Sequence, residues 1–140
     1  CEDYDGAFSE TPAKAAQGAD FVFICVGNDD DLRSVVYGDD GVLAGIKPGA
    51  ILVDHTTASA NVAREIAEKS PVAFLDAPVS GGQAGAENGV LTVMIGGDQA
   101  AFDQVKPIII SYARAAELLG PVGASQLTKM VNQICIAGLV

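Results

Sequence analysis

Four stretches of the chain are predominantly apolar: residues 21–26 (FVFICV), continuously so, 50–54 (AILVD) and 72–76 (VAFLD), each closed by an Asp, and 91–95 (LTVMI). They are rich in β-branched and aromatic residues and lack polar alternation. That pattern suits strands covered on both faces, as in parallel sheets. Residues 113–119 make a fifth candidate strand. Between these runs lie helix signals. Thr11 followed by Pro12 starts a helix that Gly18 stops. Asn28 opens another, with Asp29, Asp30 and Asp31 in its first turn, where negative charge complements the helix dipole, and it ends near Gly38. Lys47, Pro48 and Gly49 form a turn into the second strand. Ser59 or a neighbour caps a helix through Lys69, and Asp98 caps one that Pro107 should disturb. From about Ala124 a helix runs to the last residue.

Strands thus alternate with helices of moderate length, the pattern of an α/β sheet. In open sheets of this class, ligands bind outside the carboxyl ends of the strands. The loops after residue 26 (Gly27, Asn28) and after Asp54 (His55 to Thr57) are therefore the first places to look. A dinucleotide-binding fold should carry a Gly-x-Gly-x-x-Gly turn between its first strand and helix. None is present. Either the fold is a different one, or its opening strand, helix and second strand lie upstream of Cys1. The chain begins with Cys1 rather than Met, and residues 134–140 are an uncapped apolar helical run. The expectation is a fragment.

Composition narrows the function. The chain has 140 residues, 49% of them apolar, which is enough for one core of ordinary size. A formal net charge of −10, with eight scattered basic residues, argues against a nucleic-acid partner and for an acidic surface that maintains solubility. No apolar run reaches the length of about 18 residues that a membrane span needs. The three cysteines have no metal-ligand spacing, so no metal is expected. Cys25 and Cys135 fall in apolar runs and are read as small buried hydrophobes of a reducing compartment, hence a cytoplasmic location.

Two features carry candidate chemistry. Residues 76–82 (DAPVSGG) place Ser80, Gly81 and Gly82 just past a strand end, and residues 83–89 (QAGAENG) continue the loop. Paired glycines let the backbone approach a ligand closely and aim N–H groups at one point, and the Ser80 hydroxyl adds a donor. Such a cluster suits a carboxylate, although taken alone it also describes an ordinary turn. On the terminal helix, Lys129, Asn132 and Gln133 stand at i, i+3 and i+4 and so share a face. Taken alone they also describe a solvated stripe. A lysine in a partly dry cleft can instead give or take a proton.

Residues 76–82, their continuation to residue 97 (QAGAENGVLTVMIGG) and residues 120–133 (GPVGASQLTKMVNQ) together resemble the β-hydroxyacid dehydrogenases, in particular the 3-hydroxyisobutyrate dehydrogenase-like branch, with tartronate semialdehyde reductases as relatives. The similarity covers essentially the whole chain in the right order. It implies a Rossmann-like domain, truncated at its N-terminus, over residues 1–121. Residues 122–140 would begin a long interdomain helix leading to a further helical domain. It implies NAD- or NADP-dependent oxidation of a small carboxylate substrate, a β-hydroxy acid, to its semialdehyde, or the reverse, in a protein that is a homo-oligomer at full length. Lys129 would exchange the substrate proton. Ser80, Gly81, Gly82 and Asn132 would bind substrate, and Val26, Gly27, Asp31 and Thr57 would line the cofactor. A piece of this size should turn over nothing measurable alone.

There are departures from the family pattern. Val26-Gly27-Asn28 replaces a common Leu-Pro, and Ser125 stands where relatives usually have glycine, which puts cofactor approach there in question. His55 is a secondary candidate for involvement. Alternatives are a glyoxylate, succinic or tartronate semialdehyde reductase, or a non-catalytic nucleotide-binding module of the same fold. A 6-phosphogluconate dehydrogenase would normally show His-Asn after the lysine, where this chain has Met130 and Val131.

Overall fold

Side chains that satisfy the first free N–H groups mark the starts of four helices. In a computed structural model, which describes residues 6–139, Thr11 Oγ1 accepts from the Lys14 amide at the start of α1 (Pro12–Ala16). Asn28 Oδ1 accepts from the Asp30 and Asp31 amides, both at 2.9 Å, and starts α2 (Asp29–Val36). Ser59 caps α4 (Ala60–Lys69), and Asp98 caps α6 (Gln99–Ile109). A short α3 (Val42–Gly45), with no side-chain cap, was not foreseen. Cys1 lies outside the described residues, as does the last residue of the terminal run.

The strands are β1 (Phe21–Ile24), β2 (Ile51–Asp54), β3 (Ala73–Asp76), β4 (Val79–Ser80), β5 (Leu91–Gly96) and β6 (Ala113–Gly120). β1, β2 and β3 pair in parallel. β5 runs antiparallel to β3 and β4 and parallel to β6, so the sheet is mixed. Asp76 pairs with Gly96, Val79 with Val93 and Ser80 with Thr92. These pairs keep one register, so β3 and β4 follow each other along the same edge of β5, interrupted at Ala77 and Pro78. The other edge of β5 carries β6. Apolar clusters fill both faces. Ile51 and Val53 of β2 pack on the α6 side, whereas Leu52 packs with residues of α1, α2 and α4 on the other. Every residue of β2 is buried, the doubly covered strand that its composition predicts.

β1 differs from that expectation. It ends at Ile24 rather than residue 26, and among the described residues it is the sheet edge, with Phe23 39% exposed. An edge strand has a neighbour on one side only, and the apolar run could not report which strand that would be. Cys25, just beyond it, is exposed rather than buried, and so is Cys135, which sits on an uncovered face of α7 (Ala124–Gly138). The stretch expected as loop over residues 83–89 contains α5 (Gly82–Glu87). Pro107 does not end α6. It lies in the last turn, and Asp103, whose carbonyl loses its helical partner, is exposed. Among the described residues no helix is long and apolar enough to cross a membrane, and no His/Cys/Asp/Glu group could hold a metal ion.

Candidate active site

β3 delivers Asp76, fully buried, against the N-terminus of α7. Its Oδ1 accepts from the Gly123 amide at 2.8 Å and its Oδ2 from the Gln126 amide at 3.3 Å. The Ser125 hydroxyl contacts both the Asp76 carboxylate and, at 2.9 Å, its carbonyl oxygen. A strand-borne carboxylate thus satisfies the free amides that begin α7, where the helix dipole favours negative charge. Burial pushes the Asp76 carboxyl up from its ordinary range, and the donors around it oppose that shift. Asp76 therefore anchors the helix and does not face a cavity. Ser125, fully buried, lies inside the helix. The residue there that needs a left-handed backbone is Gly123, at φ +90°.

With α7 fixed in this way, Lys129 is 7% exposed and its Nζ donates to Ser80 Oγ at 3.4 Å. Ser80 sits in β4. Gly81 (φ +135°) and Gly82 (φ +60°) follow it in conformations that favour glycine, and a Cβ on Gly81 would come 3.1 Å from Leu91. Ser80, Gly81 and Asn132 line an open cavity of about 550 Å³ with Asn88, Thr92 and Arg114. Among the described residues no carboxylate lies within ion-pairing distance of Lys129 or Arg114.

Gln133 does not join this group. It opens on the other side of α7, into a cavity of about 410 Å³ shared with Thr57, Gln126 and Met130. α7 is a ridge between two hollows, one reached by the β4–β5 hairpin and one by the loop after β2. Gln126 stitches the second side, since its Nε2 donates to the Thr56 carbonyl at 2.7 Å and its Oε1 accepts from the Ala58 amide at 3.1 Å. Thr56 Oγ1 in turn accepts from the Val26 amide at 3.0 Å. Val26 thus has its N–H engaged, and Thr57 beyond it is exposed. Gly27 is exposed too, and a Cβ there would approach Asp31 Oδ2 to 2.8 Å. Asp31 Oδ2 is held by Asn28 Nδ2 at 2.8 Å. Val26, Gly27, Asp31 and Thr57 therefore gather at the carboxyl ends of β1 and β2. Ser80, Gly81, Lys129 and Asn132 gather across the helix. Sequence reasoning missed Asp76 and Gln126 as anchors of α7 and marked Thr56 only as part of the loop after β2. Asp76 shows locally as a carboxylate ending an apolar strand, but nothing in the sequence pairs it with α7, or Gln126 with Thr56.

Two further titratable groups lie nearby. His55 Nδ1 is 2.6 Å from the Ala77 carbonyl and must carry the hydrogen. Its Nε2, 2.7 Å from the Tyr112 hydroxyl, then accepts. Burial pushes its pKa down, and its ring stacks on Phe23 at 5.7 Å. Both nitrogens serve the structure, and neither contacts Lys129 or Ser80. Asp54 is fully buried, with Oδ1 accepting from the Thr56 amide at 2.9 Å and Oδ2 without a partner among the described residues. Burial raises its carboxyl to about 6.

Comparison with known proteins bears on this geometry. Residues 3–128 match the family model of the NAD binding domain of 6-phosphogluconate dehydrogenase. The chain is 72% identical to an uncharacterized oxidoreductase of Shewanella frigidimarina, over 99% of this chain and 49% of that protein. It is 40% identical to a probable mitochondrial 3-hydroxyisobutyrate dehydrogenase-like protein of Arabidopsis thaliana, over 94% of this chain and 44% of that protein. Among solved structures, a 3-hydroxyisobutyrate dehydrogenase of Mycobacterium tuberculosis with L-serine superposes with a TM-score of 0.86 at 30% identity. That match covers 92% of this chain and 44% of the other. The chain thus spans about half the length of the relatives it matches.

Proposed function

Because the chain belongs to the family of the NAD binding domain of 6-phosphogluconate dehydrogenase, we propose that it carries the substrate side of an NAD(P)-dependent dehydrogenase site for β-hydroxy acids. The chemistry is that of a 3-hydroxyisobutyrate dehydrogenase. The carrying observation is Lys129, buried, without a counter-ion among the described residues, its Nζ beside Ser80 Oγ. The hydroxyl of Ser80 and the exposed backbone of Gly81 and Gly82 bind the substrate carboxylate. Asn132, on the same cavity wall, orients it.

In oxidation, the Lys129 amine takes the proton of the substrate hydroxyl as the carbonyl forms. In reduction, the ammonium returns it. When bound, NAD(P) supplies the hydride acceptor or donor. The chain has exposed small residues to meet the cofactor: Thr57 for the nicotinamide end, and Gly27, where a Cβ would crowd Asp31. It has no Gly-x-Gly-x-x-Gly turn, so Val26, Gly27, Asp31 and Thr57 are the residues here that would hold the cofactor. Residues 1–121 form the nucleotide-binding part and residues 122–140 the start of a helix joining it to a helical domain. At full length the protein is a homo-oligomer, as the family resemblance implies.

The test is an absorbance assay at the nicotinamide band, on a protein of the relatives' length carrying this segment, with NAD and NADP in turn. 3-Hydroxyisobutyrate should be oxidised, and its methyl ester should lose at least about tenfold in kcat/KM, because the ester cannot accept charge-assisted hydrogen bonds. No oxidation of the acid, or equal use of the ester, would remove the proposal.

A further inference from the structure

The cavity beside Ser80 extends across three strands. Ser80 of β4 is directly opposite Thr92 of β5, and Thr92 pairs in turn with β6 through Ala115, the neighbour of Arg114. Directly opposed residues of an antiparallel pair present their side chains on one face. Ser80 and Thr92 accordingly share a face, and Arg114, skipped by the register shift between Ala113 and Ala115, lines the same hollow. Arg114 leans back towards β5, its Nε donating to Thr92 Oγ1 at 3.4 Å. Its Nη1 and Nη2 make no hydrogen bond among the described residues, and no carboxylate pairs with it. Arg114 is the sole charged residue of that lining, beside the neutral Asn88, Thr92 and Asn132. A guanidinium with two free nitrogens on one edge is shaped for a carboxylate.

We propose that Arg114 and the Thr92 hydroxyl form a second anion subsite, which selects β-hydroxy acids bearing another carboxylate on the carbon-2 substituent. This rests on the dehydrogenase function proposed above and names its substrate class. One carboxylate lies on Ser80, Gly81 and Gly82. The other, about one strand spacing away (roughly 5 Å), meets the guanidinium over Thr92. The reaction is otherwise unchanged. The CH2OH carbon gives a hydride to NAD(P)+, its hydroxyl proton goes to Lys129, and both carboxylates persist. An ammonium at carbon 2, as in L-serine, would face Arg114 with no acid in the lining to offset the repulsion.

The probes are 3-hydroxyisobutyrate, 2-(hydroxymethyl)succinate, which replaces a methyl hydrogen of the first by a carboxylate, and L-serine. In a protein of the relatives' length, 2-(hydroxymethyl)succinate should exceed 3-hydroxyisobutyrate in kcat/KM by about tenfold or more, with L-serine poorest. Arg114→Met should erase the ratio between the two acids, and Arg114→Lys should restore part of it. Should Arg114→Met fail to fold, competitive inhibition of the unaltered protein decides, with succinate at least about tenfold better than propionate. Oxidation of 3-hydroxyisobutyrate with no preference for the diacid, a ratio unmoved by Arg114→Met, or equal inhibition by the two acids overturns this subsite alone. Oxidation of neither acid overturns it together with the dehydrogenase function.

Discussion

At the scale of residues, Asp76 and Asp54 are two buried carboxylates at equivalent strand ends, Asp54 pairing with Asp76 in the β2–β3 register. Their surroundings differ. Asp76 is saturated by Gly123, Ser125 and Gln126, so Asp76→Ala leaves the buried Gly123 and Gln126 amides without an acceptor, while the Ser125 hydroxyl keeps the backbone carbonyl of residue 76. It should cost roughly 2–4 kcal/mol in chemical denaturation. Asp54 has one oxygen without a partner among the described residues, and burial lifts its carboxyl to about 6. A raised carboxyl favours folding when protonated. Its contribution is therefore fully present below about pH 4 and is lost as pH rises through about 6. Asp54→Asn should flatten the stability profile between those values and raise stability at pH 7 by on the order of 2 kcal/mol. A mutant profile that still falls between pH 4 and 6 as before would assign the dependence to another group.

At the scale of elements, what was legible depended on how local its cause was. The caps at Thr11, Asn28, Ser59 and Asp98 act within three residues, and each starts its helix where the sequence marked it. β2 was legible because all its residues are apolar up to Asp54. β1 reads the same way, yet its exposure at Phe23 is set by which strands flank it, a property of the sheet. α5 is too short and glycine-rich to show a periodicity. Ser80 and Lys129 were found separately, 49 residues apart, and only the resemblance joined them. The Asp76–Ser125 and Gln126–Thr56 bonds that place α7 are tertiary and had no signal. The turn before α5 carries its own test. Gly81→Ala forces a side chain to φ +135° beside Leu91. It should destabilise by about 1–3 kcal/mol and raise KM more than it lowers kcat, if the cradle binds the carboxylate equally in ground and transition states.

At the scale of the molecule, α7 leaves a run of large apolar side chains in solvent: Leu127, Met130, Val131, Ile134 and Ile136 are each more than 40% exposed. Exposed apolar patches of this kind are interaction surfaces or association hazards. The isolated 140-residue chain should bind a hydrophobic dye and self-associate with concentration, and Met130→Glu with Ile134→Glu should reduce both. It should also show no measurable turnover if, as proposed, it supplies only one wall of the substrate site and part of the cofactor side. Robust nicotinamide turnover by this segment alone would show that the site is complete within it.

Lys129, held beside Ser80 by the buried anchor of α7, is proposed to move the substrate proton. Lys129→Ala, in a protein of the relatives' length, tests it most directly when turnover and cofactor affinity are measured on the same preparation. The account predicts a fall in kcat of about 100-fold or more with the Kd for NAD(P) within a few-fold of the parent. A kcat that survives the substitution would contradict it.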